Sequence, residues 1–381
     1  MNSTERITHF VSEPAGRGTL GLVWSAFVTI FLCAFTIQRL NITDPPPSEL
    51  RVFFKKVLWM GITLIAPEFT ALLAFDQWRN ARKVKDMHDL GMTWWEPVHG
   101  FYADMGGIAI KLSSVPHFLA KQTGTTFIPE EGTKYTIRRK DIRTLWTKGV
   151  FQLPKISKES ILDKSKTDNF AKCITAFQVL CFTIEKLARL ALHMPIALLE
   201  ISTLAYIAVS AMVTFFWWNK PLDVRTPIVF HLTPEKEQDF VRVYLELDFT
   251  PDEQEVAERM NYREWYADLI AYRKYKSKHG LWIGTVFTSI HVAAWNVTFP
   301  TPTERLLWRI ASIGAWGAML IFFLTLFLPN GSRQFVAACI FGLSMEFTVR
   351  AYLIVEALIE LRALPAKTYD DVPWKDFLPH V

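Results

Sequence analysis

The sequence predicts an all-α fold: a polytopic membrane helix bundle of about seven transmembrane helices, with two long cytosolic helical segments between them. Three observations lead to this reading. Half of the 381 residues are hydrophobic, with fourteen Trp and twenty-nine Phe, more apolar material than a water-soluble chain of this length needs. The apolar residues gather into runs close to the roughly 20 residues that cross a bilayer as a helix. The charged residues collect between those runs in two long stretches, the alternation expected of a multi-pass chain.

Residues 1–19 are a polar N-terminal tail. The first apolar run starts too late, is too long and lacks the small-residue cleavage site of a signal peptide, so Leu20–Ile37 is read as the first span. Pro45-Pro46-Pro47 cannot continue a helix, and Val57–Phe75 is the second span, interrupted by Pro67 and Glu68. Spans one and two thus occupy 20–75. Residues 76–168 form a cytosolic or interfacial segment that opens on Arg79, Arg82, Lys83 and Lys85. Within it, HGFYADMGGIAIKL (99–112) is too short and mixed to cross and is expected in the interface. The block 169–218 holds span three, Phe170–Leu190, and span four, Ile196–Trp218. Span three ends in Glu185 and Arg189, an acid-first i, i+4 pair. Residues 219–279 read as a second charged, helical segment. Leu281–Phe299, Leu306–Leu328 and Gln334–Leu361 are spans five to seven within 280–361, and 362–381 is a polar tail.

Both long segments are rich in Lys and Arg close to the spans, which places them in the cytosol. Seven crossings then put the N-terminus in the cytosol and the C-terminus on the lumenal side. Asn41-Ile-Thr falls on the lumenal side, which makes Asn41 a glycosylation candidate. An endomembrane such as the endoplasmic reticulum is the expected location, ahead of the plasma membrane. The net charge of +5 is modest, and no basic patch interleaved with aromatics points to nucleic acid. All four cysteines lie in apolar runs without paired Cys/His spacing, so neither a disulfide framework nor a zinc site is expected.

The chemistry is expected where ionisable groups interrupt apolar runs. Glu346 and Arg350 lie near the middle of span seven, four residues apart with the acid first, so on a helix they meet on one face. A charge at mid-bilayer depth costs about 2.5–3.5 kcal/mol, so this structural pair must face other helices or a wet cavity. Glu68, Gln178, Glu200, His291 and Asn296 are the further polar residues within spans. If they point inward, Glu68, Glu200 and Glu346 are candidate acids and His291 their partner, because a carboxylic acid kept neutral by burial can deliver a proton. Each also has a plain reading: Glu68 capping the Pro67 break, His291 as a hydrogen-bonded core residue, Gln178 bonded across helices. Metal and phosphate-loop motifs are missing from the sequence, so no metal and no cofactor is expected.

Six stretches carry a resemblance: LIAPEFTALLAFDQW (64–78), HGFYADMGG (99–107), ILDKSKTDNFAKCITAFQ (161–178), LEISTLAY (199–206), FWWNKPLDV (216–224) and SIHVAAWNVTFPTPTERLLWR (289–309). In this order the chain resembles a large group of uncharacterised polytopic membrane proteins of filamentous and mushroom-forming fungi. It departs at Phe75-Asp76, where a small residue and a base are expected. The resemblance implies a membrane protein, with some members beside specialised-metabolite genes, and it brings no catalytic residues. Two expectations follow. One is a metal-independent cyclase or isomerase acting on a lipophilic terpenoid or polyketide of fungal specialised metabolism. The other is a non-enzymatic receptor, transport helper or scaffold for biosynthetic enzymes. The bilayer and a lipophilic small molecule are the expected partners, and nucleic acid is not.

Overall fold

The computed structural model describes residues 6–12, 17–42, 48–112, 134–165, 169–246, 280–325, 328 and 333–374. Helix α1 (Thr19–Thr36) turns a stripe of mostly small residues inward, Leu22, Ala26, Thr29, Cys33 and Ala34, and points Trp24, Phe27 and Phe31 outward. Small inward and large apolar outward is the pattern of a helix that packs closely on neighbours and faces lipid. Four helices among the described residues are long and apolar enough to cross a membrane: α1, Leu198–Phe216, Pro302–Thr325 and the run Arg333–Ala363. A bent pair of helices makes a fifth if counted as one span.

That pair stands where a single span, Val57–Phe75, interrupted at Pro67, is expected from the sequence. Helix α2 (Glu49–Ile65) ends at Ala66, and α3 begins at Pro67 and runs to Ala81. The axes of Glu49–Ile65 and Pro67–His88 meet at 111°. Pro67 has no N–H for the carbonyl four residues back and its ring clashes there, whereas the first position of a new helix suits it. The hydroxyls of Thr63 and Thr70, 3.0 Å apart, tie the two helices across the break.

The expected spans three and five also differ from plain spans. Helix α8 (Asn169–Ala191) has the expected bounds, but Lys172, Glu185, Lys186 and Arg189 make it more polar than the four helices above. After it come α9 (Leu198–Phe216) and, further on, α11 (Gly280–Ala293), which stops after 14 residues in the 3-10 turn Ala294–Asn296. Helices α12 (Pro302–Thr325) and α13 (Arg333–Ile359) pack on each other over most of their length. Helix α9 is the hub, touching α1, α3, α8, α11 and α13. Gly284 lets α11 lie against α12 so closely that a Cβ there would stand 1.9 Å from Met319 Cε.

Side-chain bonds fix the directions. Arg17, just before α1, pairs with Glu200 in the first turn of α9, and Arg39, just after α1, donates to the carbonyl of Lys220 beyond α9, so α1 and α9 run parallel. Helix α8 runs the other way, with Lys186 near its end at Glu200 and Ser165 before its start at Leu222. At the end where α1 starts, strand β1 (Arg6–Ile7) pairs antiparallel with β5 (Leu364–Pro365). Arg6 Nη1 donates to the Ala363 carbonyl at 2.6 Å and Nη2 to that of Phe299 at 2.5 Å. The two ends of the described chain therefore lie together, whereas seven crossings would separate them.

At the opposite end the described parts of the two polar segments fold into one cap, and they are not purely helical as expected; the charged run expected as helix over 247–279 lies outside the described residues. Strand β2 (Ile108–Lys111) is central, antiparallel to β3 (Lys134–Thr136) and parallel to β4 (Ile228–His231). The short helices α4 (Lys85–His88), α5 (Pro97–Asp104), α6 (Arg139–Thr147), α7 (Lys158–Asp163) and α10 (Pro234–Glu246) belong to the same polar segments. Their core includes Met87, Trp95, Tyr102, Ile110, Leu145 and Phe240. HGFYADMGGIAIKL is thus a buried helix and strand, not an interfacial segment. Gly106 supplies a positive φ of 88° between them, a conformation that other residues adopt at a cost. Buried His99 accepts from Glu96 N through Nδ1 at 2.9 Å and donates from Nε2 to the Ile156 carbonyl at 3.0 Å. Burial lowers its pKa and keeps that arrangement neutral.

Asn41 lies at the cap end. Its Oδ1 accepts from Lys220 Nζ at 3.4 Å, and the next residue donates Ile42 N to Met105 O at 2.8 Å. The sequence placed Asn41 on the face opposite the polar segments, because a straight second span would have carried the chain across. The turn at Ala66 brings it back instead.

Cysteine labelling tests the paired ends. In a background with the four native cysteines replaced, His9→Cys and Asp371→Cys should react with an impermeant maleimide from the same side of sealed vesicles. Lys148→Cys in the cap should react from the other. Labelling of positions 9 and 371 from opposite sides would contradict the strand pair.

Candidate functional site

Arg350 on α13 is almost wholly buried and gathers two carboxylates. Its Nη2 lies 2.7 Å from Glu346 Oε1, one turn earlier, and 2.5 Å from Glu68 Oε1. The sequence-predicted pair is therefore part of a triad. Pro67 explains why Glu68 is there: the break starts a new helix, and Glu68 sits in its first turn, where unbonded N–H groups and the helix dipole favour an anion. The guanidinium carbon of Arg350 also lies 4.1 Å from the centre of the Phe287 ring on α11, a favourable cation–π position.

One cation facing two carboxylates leaves the cluster with a negative charge unless it takes up a proton. Glu68 Oε2 and Arg350 Nε and Nη1 are buried and have no hydrogen-bond partner among the described residues. Tyr206 on α9 flanks the site and donates its hydroxyl to the Leu64 carbonyl at 2.5 Å, at the end of α2. Its ring meets Phe287 edge-on at 5.1 Å.

His291 adjoins this group through Phe287, their ring centres 4.6 Å apart. Its Nδ1 donates to the Phe287 carbonyl at 2.9 Å, since a carbonyl can only accept. In the neutral ring Nε2 is then an acceptor, 3.4 Å from the Ser202 hydroxyl. Glu68, Glu346 and His291 are thus neighbours around Arg350 and Phe287.

Glu200 is elsewhere. It caps α9, accepting from Ala197 N at 3.0 Å through Oε2. Its Oε1 pairs with Arg17 and with Lys186 Nζ, the latter at 2.5 Å. It shares no partner with Glu68. Its surroundings fit a capping and locking role at the end of the bundle where β1 and β5 pair. The expected Glu185–Arg189 pair does not form there. Glu185 bonds Lys186 at 2.6 Å, and Arg189 donates to carbonyls including Thr368 at 2.9 Å and Asp370 at 2.8 Å. Gln178 reaches across to Thr29 Oγ1 at 3.0 Å, the plain interhelical bond. Asn296 ends the 3-10 turn after α11.

Arg17, Lys186, Tyr206 and Phe287 were not singled out by the sequence. Arg17 lay in a polar tail and Lys186 between two more conspicuous charges. Tyr206 and Phe287 look like any aromatic in an apolar run. Among the described residues, no three His, Cys, Asp or Glu side chains come together in a way that would hold a metal ion.

A family model described as "Family of unknown function (DUF8562)" matches residues 1–247. The chain belongs to this family. No curated protein and no solved structure matches it. The DUF8562 match takes in α1 to α10, and with them Glu68, Glu200, Tyr206 and the cap. Arg350, Glu346 and His291 lie beyond the matched residues, so the cluster joins the matched part of the chain to the remainder.

The triad makes an asymmetric prediction for stability. Arg350→Leu leaves the buried Glu68 carboxylate and the half-buried Glu346 carboxylate without their cation and should cost about 3–5 kcal/mol, the range for breaking a buried pair. Glu346→Gln leaves Arg350 paired with Glu68 and should cost clearly less. Thermal unfolding in detergent would compare them, and equal losses would show that Arg350 does not serve both acids.

Proposed function

We propose that this is an integral membrane protein in which α1, α8, α9, α11, α12 and α13 cross the bilayer, while α2 and α3 enter and leave on the cap side. The observation behind this count is that consecutive helices of the six alternate between the cap end and the end where β1 and β5 pair. The basic residues around the start of the cap, Arg79, Arg82, Lys83 and Lys85, support a cytosolic cap. The resemblance to fungal membrane proteins supports an endomembrane of a fungal cell and a role in specialised metabolism.

Within that frame the reading we favour is a proton-transfer enzyme, a cyclase or isomerase of a lipophilic terpenoid or polyketide. One observation carries it: a buried cluster with one carboxylate more than it has cations, and Glu68 Oε2 left without a hydrogen-bond partner among the described residues. When the cluster holds a proton, that carboxylic acid can add it to an alkene or enol carbon of the substrate. The cation so formed can lose a proton from an adjacent carbon to the vacated carboxylate or to His291 Nε2, which moves the double bond. Alternatively a second alkene of the substrate attacks the cation, its π electrons become the ring bond, and the new cation loses its proton in the same way, with no net change in protons. The outward apolar face of α2, with Leu50, Phe53, Phe54 and Leu58 exposed, suits a substrate arriving from the bilayer.

The second reading is a scaffold for soluble enzymes, favoured by the folded cap that both polar segments build. Product formation separates the two. In membranes with equal protein levels, Glu68→Gln, Glu346→Gln and His291→Ala should be compared with the parent in a host that supplies the precursor. At least one should lose about 10²–10⁴-fold in turnover, the usual contribution of an acid or base. Glu200→Gln should keep its turnover and lose thermal stability. Full turnover in all of the first three would remove the enzyme reading and leave the scaffold in front.

A further inference from the structure

A recess at the cap end is lined by Arg39, Lys220, Gln77, Trp59 and Trp217, among others, and none of the described residues that line it is acidic. It lies where α1 and α9 both end, with the exposed Trp218 beside it, the aromatic signature of a headgroup region. Two cations meet in it. Lys220 is buried, 4.6 Å over the ring of Trp217, and its Nζ donates to Gln77 Oε1 at 2.9 Å. Gln77 Oε1 also accepts from Trp217 Nε1 at 3.0 Å, so the amide holds both the ammonium and the indole in place. Arg39 is half-buried and donates one N–H to the Lys220 carbonyl. Burial pushes its guanidinium down to about 10, with no carboxylate opposing the shift.

The nearby acids are committed elsewhere. Asp223 is bonded to Lys56 at 2.5 Å, and Glu49 holds Arg225 through both oxygens at 2.9 and 2.7 Å. A desolvated guanidinium whose partner among the described residues is a single carbonyl retains several donors in a fixed fork, the geometry that suits a phosphate. Basic pockets between membrane helices on the cytosolic side take phosphate headgroups for this reason.

We propose that the recess formed by Arg39, Lys220, Gln77, Trp59 and Trp217 binds a phosphate-type anion at the membrane surface. The anion is carried by an anionic phospholipid headgroup or by a soluble phosphate. The guanidinium of Arg39 makes the contact, Lys220 adds charge from below, and the two indoles frame the opening. The site is separate from the Glu68–Arg350–Glu346 cluster and does not depend on its chemistry.

The test uses the full chain in lipid nanodiscs of phosphatidylcholine, with and without phosphatidylglycerol, and a third arm with inorganic phosphate added to the phosphatidylcholine discs. Thermal stability and lipid retained in native mass spectrometry are the readouts. Stabilisation by phosphatidylglycerol supports the site and names a headgroup as its ligand; stabilisation by inorganic phosphate supports it and names a soluble anion. In either case Arg39→Gln should weaken the effect about fivefold, the loss of one surface-level cation. Arg39→Lys should retain part of it, and Arg51→Gln, an exposed charge on α2, should change nothing. The same response in all three arms, or full retention of the anion by a folded Arg39→Gln protein, would overturn the proposal.

Discussion

The structure depends on a missing hydrogen-bond donor. Pro67 cannot continue α2, and because it cannot, the chain turns through 111° at Ala66 and starts a second helix. That places Glu68 in a first turn, within reach of Arg350, 282 residues further along the chain. It also returns the chain to the end it came from, so that Asn41, the start of the cap and the end of α9 share one face. A charged pair on α13 that would only have stiffened one helix becomes a bond between the break and the last long helix.

The bundle is tied at three levels, and each level uses a different chemistry. At the end where β1 and β5 pair, Glu200, Arg17 and Lys186 form a buried ionic knot, and Arg189 gathers backbone carbonyls. At the level of Glu68, the triad and the Arg350–Phe287 contact hold α3, α11 and α13 together. At the cap end, Lys220 and Gln77 link the exit of α9 to α3 through neutral oxygens and an indole. Charges buried in apolar surroundings are costly unless satisfied. That cost makes these three layers the places where helix register is fixed, while the aromatic outer faces leave it free.

The membrane character, the approximate helix positions and the Glu346–Arg350 spacing were legible in the sequence, because runs of apolar residues and i, i+4 charges are local patterns. The company each polar residue keeps was not. Glu68 and Glu200 look alike in the sequence, each an acid near the start of an apolar stretch. Only the direction of the following helix decides that one meets Arg350 and the other Arg17 and Lys186. The turn at Ala66 was half legible, since Pro67 announced a break but not that the break would reverse the path. The cap sheet was hidden for a different reason. Its strands are three or four residues long, too short for alternation to show, and β2 and β4 lie on opposite sides of two long helices in the sequence.

That separation has a consequence for how the molecule is made. β2 leaves the ribosome well before β4, and between them lie α8 and α9. The sheet can close only once that antiparallel pair has folded and brought the chain back to the cap, delivering Ile228–His231 beside Ile108–Lys111. Until then β2 keeps an open edge of buried-type residues, the kind of edge that invites pairing with other chains. Completion of the cap therefore reports that α8 and α9 have packed as a pair, and a chain that fails at that step carries a sticky strand on the same face as its unfinished cap.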